Sequence, residues 1–264
     1  MTVKKITSRE NRAVKETKKL LKKSGRNETG LFLLEGERLV FDALQKGVPL
    51  QRVFAHSKFF QQGLTGQECY EVEDKILAEL SDTCSPQGVV AVVKQQTAGL
   101  EELDQSLPIV VCDCLQDPGN LGTVIRTADA AGFGGVILLG DCVDVYSPKV
   151  VRATMGALFD LPVVKVGEVS QLSDFRLVCA DLKQSVSVFD FDFTAPFAVV
   201  IGNEAHGVRQ EILDAAKGSL QIPMVGKSES LNAAVAFGVI AYEAFRQRNE
   251  KNSLQKKKSA VYYK

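Results

Sequence analysis

Asp113-Cys114-Leu115-Gln116-Asp117-Pro118-Gly119-Asn120-Leu121-Gly122-Thr123-Val124-Ile125-Arg126 comes directly after the apolar run Ile109-Val110-Val111-Cys112. An unbroken apolar run is the pattern of a strand buried on both faces, and the residues after it form a helix entry, with Asp117 placed to cap and Pro118 in the first turn. Gly132 supplies the exit. The pattern then repeats: Gly135 to Leu139, Leu177 to Ala180 and Ala198 to Ile201 are further apolar runs, and Ser147-Pro148 opens a second helix over Val150 to Leu158. Strands of this kind separated by helices predict an α/β fold with a parallel sheet.

Two more glycine- and amide-rich segments lie where strands give way to helices. One is Val199-Val200-Ile201-Gly202-Asn203-Glu204-Ala205-His206-Gly207, ahead of a helix over Val208 to Ala215. The other runs from Ile222-Pro223-Met224-Val225-Gly226, ending a strand, through Ser230-Leu231-Asn232, where serine is a natural cap. The final helix, to about Arg248, is rich in alanine, which permits close backbone approach to its own sheet or to a second subunit; its own sheet is favoured. Upstream, Phe32 to Leu34, Arg38 to Gln45, Val53 to Ala55, Asp74 to Leu80 and Gly88 to Val93 alternate strand and helix as a smaller α/β unit. The stretch from Gln95 to Pro108 has no apolar period and marks a boundary. A dinucleotide fingerprint is excluded, because Gly132-Phe133-Gly134-Gly135 comes after a helix and before a strand, the reverse of the required order.

Zero net charge conceals an asymmetry. Residues 1–26 hold ten Lys/Arg against Glu10 and Glu16, residues 246–264 hold seven against Glu250, and of the 32 residues of each sign this leaves 15 basic and 29 acidic between them. A single basic run is commonly a solvated helix face. Two basic ends on an acidic body suggest attraction to a polyanion. Residues 9–23 carry few apolar positions (Val14, Leu20, Leu21) and read as a basic arm rather than core. No apolar run approaches the ~18–20 residues of a membrane span, and Met1-Thr2-Val3-Lys4-Lys5 lacks a signal-peptide core, so a cytoplasmic location without membrane attachment is expected. The six cysteines form no Cys-x-x-Cys pair; they read as buried thiols, and no metal site is expected.

Taken by themselves the candidate residues admit plain structural readings. Arg126 lies about 140° around the helix from Leu121, away from the apolar face, as a solvated arginine would. Glu204 suits the start of a helix as well as a site. Gly202, at a strand's C-terminal end, leaves room for a ligand at the edge where α/β sheets bind them. His206 has no partner in the pattern and reads as a surface loop residue, and Ser230 is accounted for by capping.

Taken together and in order, the three segments resemble the motifs of the SpoU (TrmH-like) branch of the SPOUT superfamily, RNA 2′-O-ribose methyltransferases. Phe32-Leu33-Leu34-Glu35-Gly36-Glu37-Arg38 and Ser85-Pro86-Gln87-Gly88-Val89 are similar to the substrate-binding domain that often precedes the catalytic one. Ala205 departs from the glycine common after the motif carboxylate. The resemblance implies a ribosomal-protein-like RNA-binding domain over 1–98 including the basic arm, a linker over 99–107, and a catalytic domain over 108–264 with a C-terminal trefoil knot, working as a homodimer. It implies S-adenosylmethionine as cofactor, held by Gly202, Ile222, Met224 and Leu231, and a catalytic set of Asn120, Arg126, Glu204, Ser230 and Asn232, in which Ser230 and Asn232 help fix the arginine and the ribose. The expected substrate is structured RNA, 23S ribosomal RNA in preference to transfer RNA. A catalytically inactive RNA-binding protein of the same fold is the alternative, and retention of all five catalytic residues speaks against it.

Overall fold

The computed structural model describes residues 2–181, 185–227 and 230–261, with side chains as far as residue 251. The basic side chains of the C-terminal tail beyond that point lie outside the described residues. The chain divides into two compact units, one of Met1–Thr97 with Asp144–Asp160 and the other of Ala98–Val143 with Leu161–Lys264.

In the first unit, β1 (Val3–Lys5), α1 (Arg12–Lys18) and α2 (Lys23–Thr29) precede β2 (Leu31–Glu35), α3 (Glu37–Gln45), β3 (Arg52–Ala55), α4 (Ser57–Gln61), β4 (Glu68–Glu71), α5 (Asp74–Leu80) and β5 (Val89–Lys94). Its sheet runs β1-β4-β3-β5-β2, with β5 antiparallel to both β3 and β2. The expected strand and helix alternation is present, with β1 and β4 added. Those two escape a periodicity search because each is short and half polar, as in Glu68-Cys69-Tyr70-Glu71.

Residues 2–26 are not an arm outside the core, which corrects the reading of the basic N-terminus. Val3–Lys5 pair in parallel with β4, and Ile6, Ala13, Val14 and Leu20 are buried in one cluster with Leu33, Phe54 and Leu77. A helix needs only a narrow stripe to dock, and α1 buries Ala13, Val14 and Thr17 while its lysines stay outside. Arg26 is turned inward: its Nη2 and Nε meet Asp144 Oδ2 at 2.7 and 2.9 Å, and Nη1 donates to the Leu20 carbonyl at 2.7 Å. A buried guanidinium is tolerable only with its donors occupied in this way.

The second unit contains β6 (Ile109–Asp113), α6 (Pro118–Ala130) and β7 (Gly135–Leu139). The chain then contributes α7 (Pro148–Thr154) to the first unit, where α7 lies against β2, Tyr146 packs on Phe32 at 4.7 Å between ring centroids, and Arg152 pairs with Glu35 at 3.2 Å. It returns for β8 (Val163–Val166), β9 (Leu177–Ala180), β10 (Ser185–Ser187), β11 (Ala198–Ile201), α8 (Gln210–Ala215), β12 (Ser219–Gln221) and α9 (Ala233–Val261). The sheet order is β10-β12-β9-β11-β6-β7-β8, every pair parallel. The four apolar runs are β6, β7, β9 and β11, while β8 and the three-residue β10 and β12 carry lysine, serine or glutamine and lack that signature. Helix α9 buries Ala234, Phe237, Ile240, Ala241 and Ala244 and packs beside α6, with Phe133 edge-on to Phe237 at 5.2 Å, so its main contact is with a helix of its own unit, where the sequence favoured its sheet.

Cys69, Cys112 and Cys179 are buried as expected, Cys114 and Cys142 are half-buried, and Cys84 is exposed, because it lies in a loop rather than a strand. Burial pushes the Cys142 thiol up to about 11 and that of Cys179 up to about 12, which keeps both protonated and inert at neutral pH.

Candidate active site

The C-terminal ends of β6 and β11 lie side by side, Ile201 paired with Cys112, so the loops that leave them meet. After β6 the backbone turns at Cys114, whose φ of 52° is left-handed, and α6 starts with Asp117 Oδ1 accepting the Asn120 amide at 2.8 Å. The cap and the Pro118 entry are as the sequence predicts. They place Asn120 in the first turn, buried, with its side-chain amide facing the second loop.

That second loop is a tight closed turn. Asn203 and Gly207 exchange two backbone hydrogen bonds of 2.9 Å, and Asn203 Oδ1 accepts the amides of Ala205 and His206. A Cβ on Gly202 would stand 2.2 Å from the Gly207 carbonyl carbon and 2.4 Å from the Val208 nitrogen, so glycine is demanded there by the chain's own closure. Room for a ligand is not the only reason for it. The Asn203 Nδ2 donates to the Cys114 carbonyl at 2.8 Å and latches this turn onto the first.

The latch sets Glu204 over the entry of α6. Its carboxylate accepts the Gln116 amide at 3.2 Å, the Asp117 amide at 3.0 Å and Asn120 Nδ2 at 3.0 Å. Partial burial alone would raise the Glu204 pKa, but these bonds outweigh it and hold the carboxyl below its ordinary value. The sequence left Glu204 open between a helix-entry charge and a site residue. It does serve a helix entry, that of α6 rather than that of α8.

The third segment closes the chain of bonds. Asn232 Nδ2 donates to Asn120 Oδ1 at 2.9 Å, while Asn232 Oδ1 accepts the amides of Ala234 and Val235 at 3.0 and 3.3 Å. The cap of α9 is therefore Asn232 and not Ser230, two residues later than expected. Helix entry at Asn232 aims the amide at Asn120, whereas a Ser230 cap would have made Asn232 part of the first turn. Likewise β12 ends at Gln221, so Ile222-Pro223-Met224 lies beyond the sheet instead of ending a strand, as befits a proline without an N–H.

Beside this network is a cleft of about 480 Å³, lined among others by Gly202, Glu204, Ile222, Met224, Ser230, Leu231 and Asn232. All four residues expected to hold a cofactor are in its wall, with three of the five expected catalytic residues. Asn120 reaches the group through its hydrogen bonds. Arg126 is exposed on α6, outside the lining, and has no hydrogen bond or ion pair among the described residues; neither Ser230 nor Asn232 bonds to it. His206 is exposed, as read from the sequence.

Three residues important to the geometry were not singled out by the sequence. Besides Asn203 they are Asp113, fully buried at the end of β6, and Arg209, whose Nε and backbone amide donate to the two Asp113 oxygens at 2.6 and 3.0 Å. A carboxylate closing an otherwise apolar strand was the available signal, since a buried aspartate needs a partner.

The cleft can be tested against S-adenosylmethionine. Its volume is that of an ordinary small-molecule site. Ile201, Leu220, Ile222, Met224, Leu231 and Ile240 offer an apolar wall for a base, and the acidic residues Asp181 and Glu204 suit the sulfonium and ammonium charges. The residues present fit the group.

Comparison with known proteins gives consistent results. A model of the SpoU rRNA Methylase family matches residues 108–242, and one of an MRM3-like substrate binding domain matches residues 11–91. The 23S rRNA (guanosine(2553)-2′-O)-methyltransferase RlmP of Bacillus subtilis is 33% identical over 247 residues, covering 91% of this chain and 98% of that protein. The crystal structure of an AdoMet-bound rRNA methyltransferase from Sinorhizobium meliloti superposes with a TM-score of 0.84 at 34% identity, covering 92% of this chain and 98% of that one. The SpoU methyltransferase AviRb from Streptomyces viridochromogenes, in complex with AdoMet, gives 0.82 at 32% identity, with 90% and 98% covered.

Proposed function

The chain belongs to the SpoU rRNA methylase family, and from that premise we propose that it methylates a ribose 2′-hydroxyl of 23S ribosomal RNA using S-adenosylmethionine. The observation that carries the reading is the unbroken hydrogen-bond chain from Glu204 through Asn120 to Asn232, which joins three separate segments at one wall of the cleft.

The cofactor supplies an electrophilic methyl group on a sulfonium centre. What the protein must provide is in-line placement of the 2′-oxygen and a path for its proton as the O–C bond forms and the C–S bond breaks. Gly202, Ile222, Met224 and Leu231 hold the cofactor. Glu204, fixed by three donors, orients Asn120, and Asn232 locks the other end of the same amide, so the site is rigid before substrate arrives. Ser230 and Asn232 meet the ribose. Arg126, which has no hydrogen bond or ion pair among the described residues, orients the 2′-hydroxyl or an adjacent phosphate, a task for which the planar guanidinium is suited.

The preference for 23S ribosomal RNA rests on the names of relatives such as the Bacillus subtilis protein. A trefoil knot in the second unit, a cytoplasmic location and a homodimer complete the reading. The dimer is supported by Val235, Tyr242 and Phe245, which stay exposed on α9 although its other side is buried; sedimentation should give about twice 28.7 kDa. No helix among the described residues is long and apolar enough to cross a membrane. The functional test is ribose-methylation mapping of ribosomal RNA from cells with and without the protein. One 2′-O-methyl mark should vanish with it, and an unchanged map would reject the proposal.

A further inference from the structure

The ten basic residues of the N-terminal segment are not equivalent once the ion pairs are assigned. Lys5 pairs with Glu71, Arg9 and Lys18 with Glu79, Arg12 with Glu16, Lys15 with Glu10, and Arg26 with Asp144. Those six each have a carboxylate partner within the chain, and of them only Arg26 is buried with its partner. Lys4, Lys19, Lys22 and Lys23 have no ion pair among the described residues, and three of the four fall within five residues, at the turn between α1 and α2.

That turn is concave and closely packed. Lys19 and Lys22 line a hollow of about 340 Å³, with Lys15 and Lys18 also on its wall. Gly25 forms part of it, and a Cβ there would stand 2.3 Å from the Lys19 carbonyl oxygen, so α2 sits directly on the turn with no space for a side chain. Next to it Arg26 and Leu20 are buried. The free ammonium groups are thus carried on a fixed backbone, and a loosely packed tail would have lacked that property.

We propose that the hollow between α1 and α2 is a phosphate-binding site for the RNA substrate, with Lys19 and Lys22 on its wall, and Lys23 next to Lys22 at the start of α2, neutralising backbone phosphates. This rests on the reading of the chain as an RNA methyltransferase, and it assigns part of the substrate grip to a place outside the methyl-transfer cleft. Lysines left unpaired beside a turn that tolerates only glycine suit a ligand that is anionic and repetitive in charge. Glu28, also on the wall, opposes that ligand and tunes the site downward.

The test uses the full chain and an in vitro transcript of 23S ribosomal RNA. The triple variant Lys19→Gln/Lys22→Gln/Lys23→Gln changes only exposed side chains and should fold, as circular dichroism would verify. At about −0.7 per phosphate contact, its slope of log K against log salt should be shallower by about 2, and affinity at 0.15 M salt lower by about 50-fold. S-adenosylmethionine binding, and the transfer rate at saturating RNA, should be unchanged. Glu28→Gln should move affinity the opposite way. An unchanged salt slope in the triple variant would overturn the site, and so would an equal loss in a control carrying Lys58→Gln, Lys75→Gln and Lys94→Gln. Retained RNA binding with selective loss of binding to anionic phospholipid vesicles would overturn it as well. Absence of methyl transfer by the wild-type chain would reject the catalytic reading instead, and the binding comparison would still decide the lysine site.

Discussion

Arg126→Ala separates chemistry from architecture. The side chain is exposed on α6, makes no hydrogen bond or ion pair among the described residues, and does not line the cleft. Arginine and alanine are both good helix formers, so the substitution removes no packing and should change unfolding free energy by no more than about 0.5 kcal/mol. Cofactor affinity should stay within a few-fold. If the guanidinium orients the 2′-hydroxyl, its loss should slow methyl transfer by about 100-fold, which corresponds to about 2.7 kcal/mol of transition-state stabilisation. Arg126→Lys keeps the charge but loses the planar fork, and should recover only part of the rate. The assays are thermal unfolding, calorimetry with S-adenosylmethionine, and single-turnover transfer of labelled methyl to RNA. Transfer within about threefold of wild type, or loss of cofactor binding in parallel with rate, would refute the role.

The same geometry sets further expectations. Because hydrogen bonds hold the Glu204 pKa below its ordinary value, its contribution to stability is present above the ordinary carboxylate range and is lost as pH falls through the depressed value. The stability gap between wild type and Glu204→Gln should therefore be constant from pH 6 to 9 and close only below about pH 4.3, as read by denaturant titration. Leu231→Arg puts a cation into the cleft wall and should abolish cofactor binding in calorimetry while the near-ultraviolet spectrum of the folded chain is kept. Deleting residues 2–26 removes β1 together with buried Ile6, Val14 and Leu20, each worth about 1.5–3 kcal/mol of burial. The first unit should then become protease-sensitive, an outcome that a dispensable arm would not give.

The sequence shows most clearly what rests on apolar continuity and on caps. Strands β6, β7, β9 and β11 are unbroken apolar runs, and the Asp117-Pro118 entry of α6 lies where the sequence places it. Strands β10 and β12 are three residues each, Ser185-Val186-Ser187 and Ser219-Leu220-Gln221, and are defined by their neighbours rather than by their own composition. The N-terminal segment misleads because long cationic side chains outnumber the few apolar ones that dock it, while Arg26, counted with the solvent-facing charges, is buried. At the site, residue identities are visible in the sequence but their connections are not. That Glu204 serves α6, that Asn203 latches one loop to another, and that Asn232 rather than Ser230 caps α9 depend on which strand ends lie side by side, a property of the sheet order.

The most direct test of the central claim is to incubate the purified chain with 23S ribosomal RNA transcript and S-adenosylmethionine carrying a trideuterated methyl group, then digest the RNA and analyse it by mass spectrometry. The account predicts one labelled nucleotide with the label on the ribose, its initial rate of formation lower by about 100-fold when Arg126→Ala replaces the wild type at equal concentration. Label on a base, or cofactor binding without label in any RNA, would contradict it.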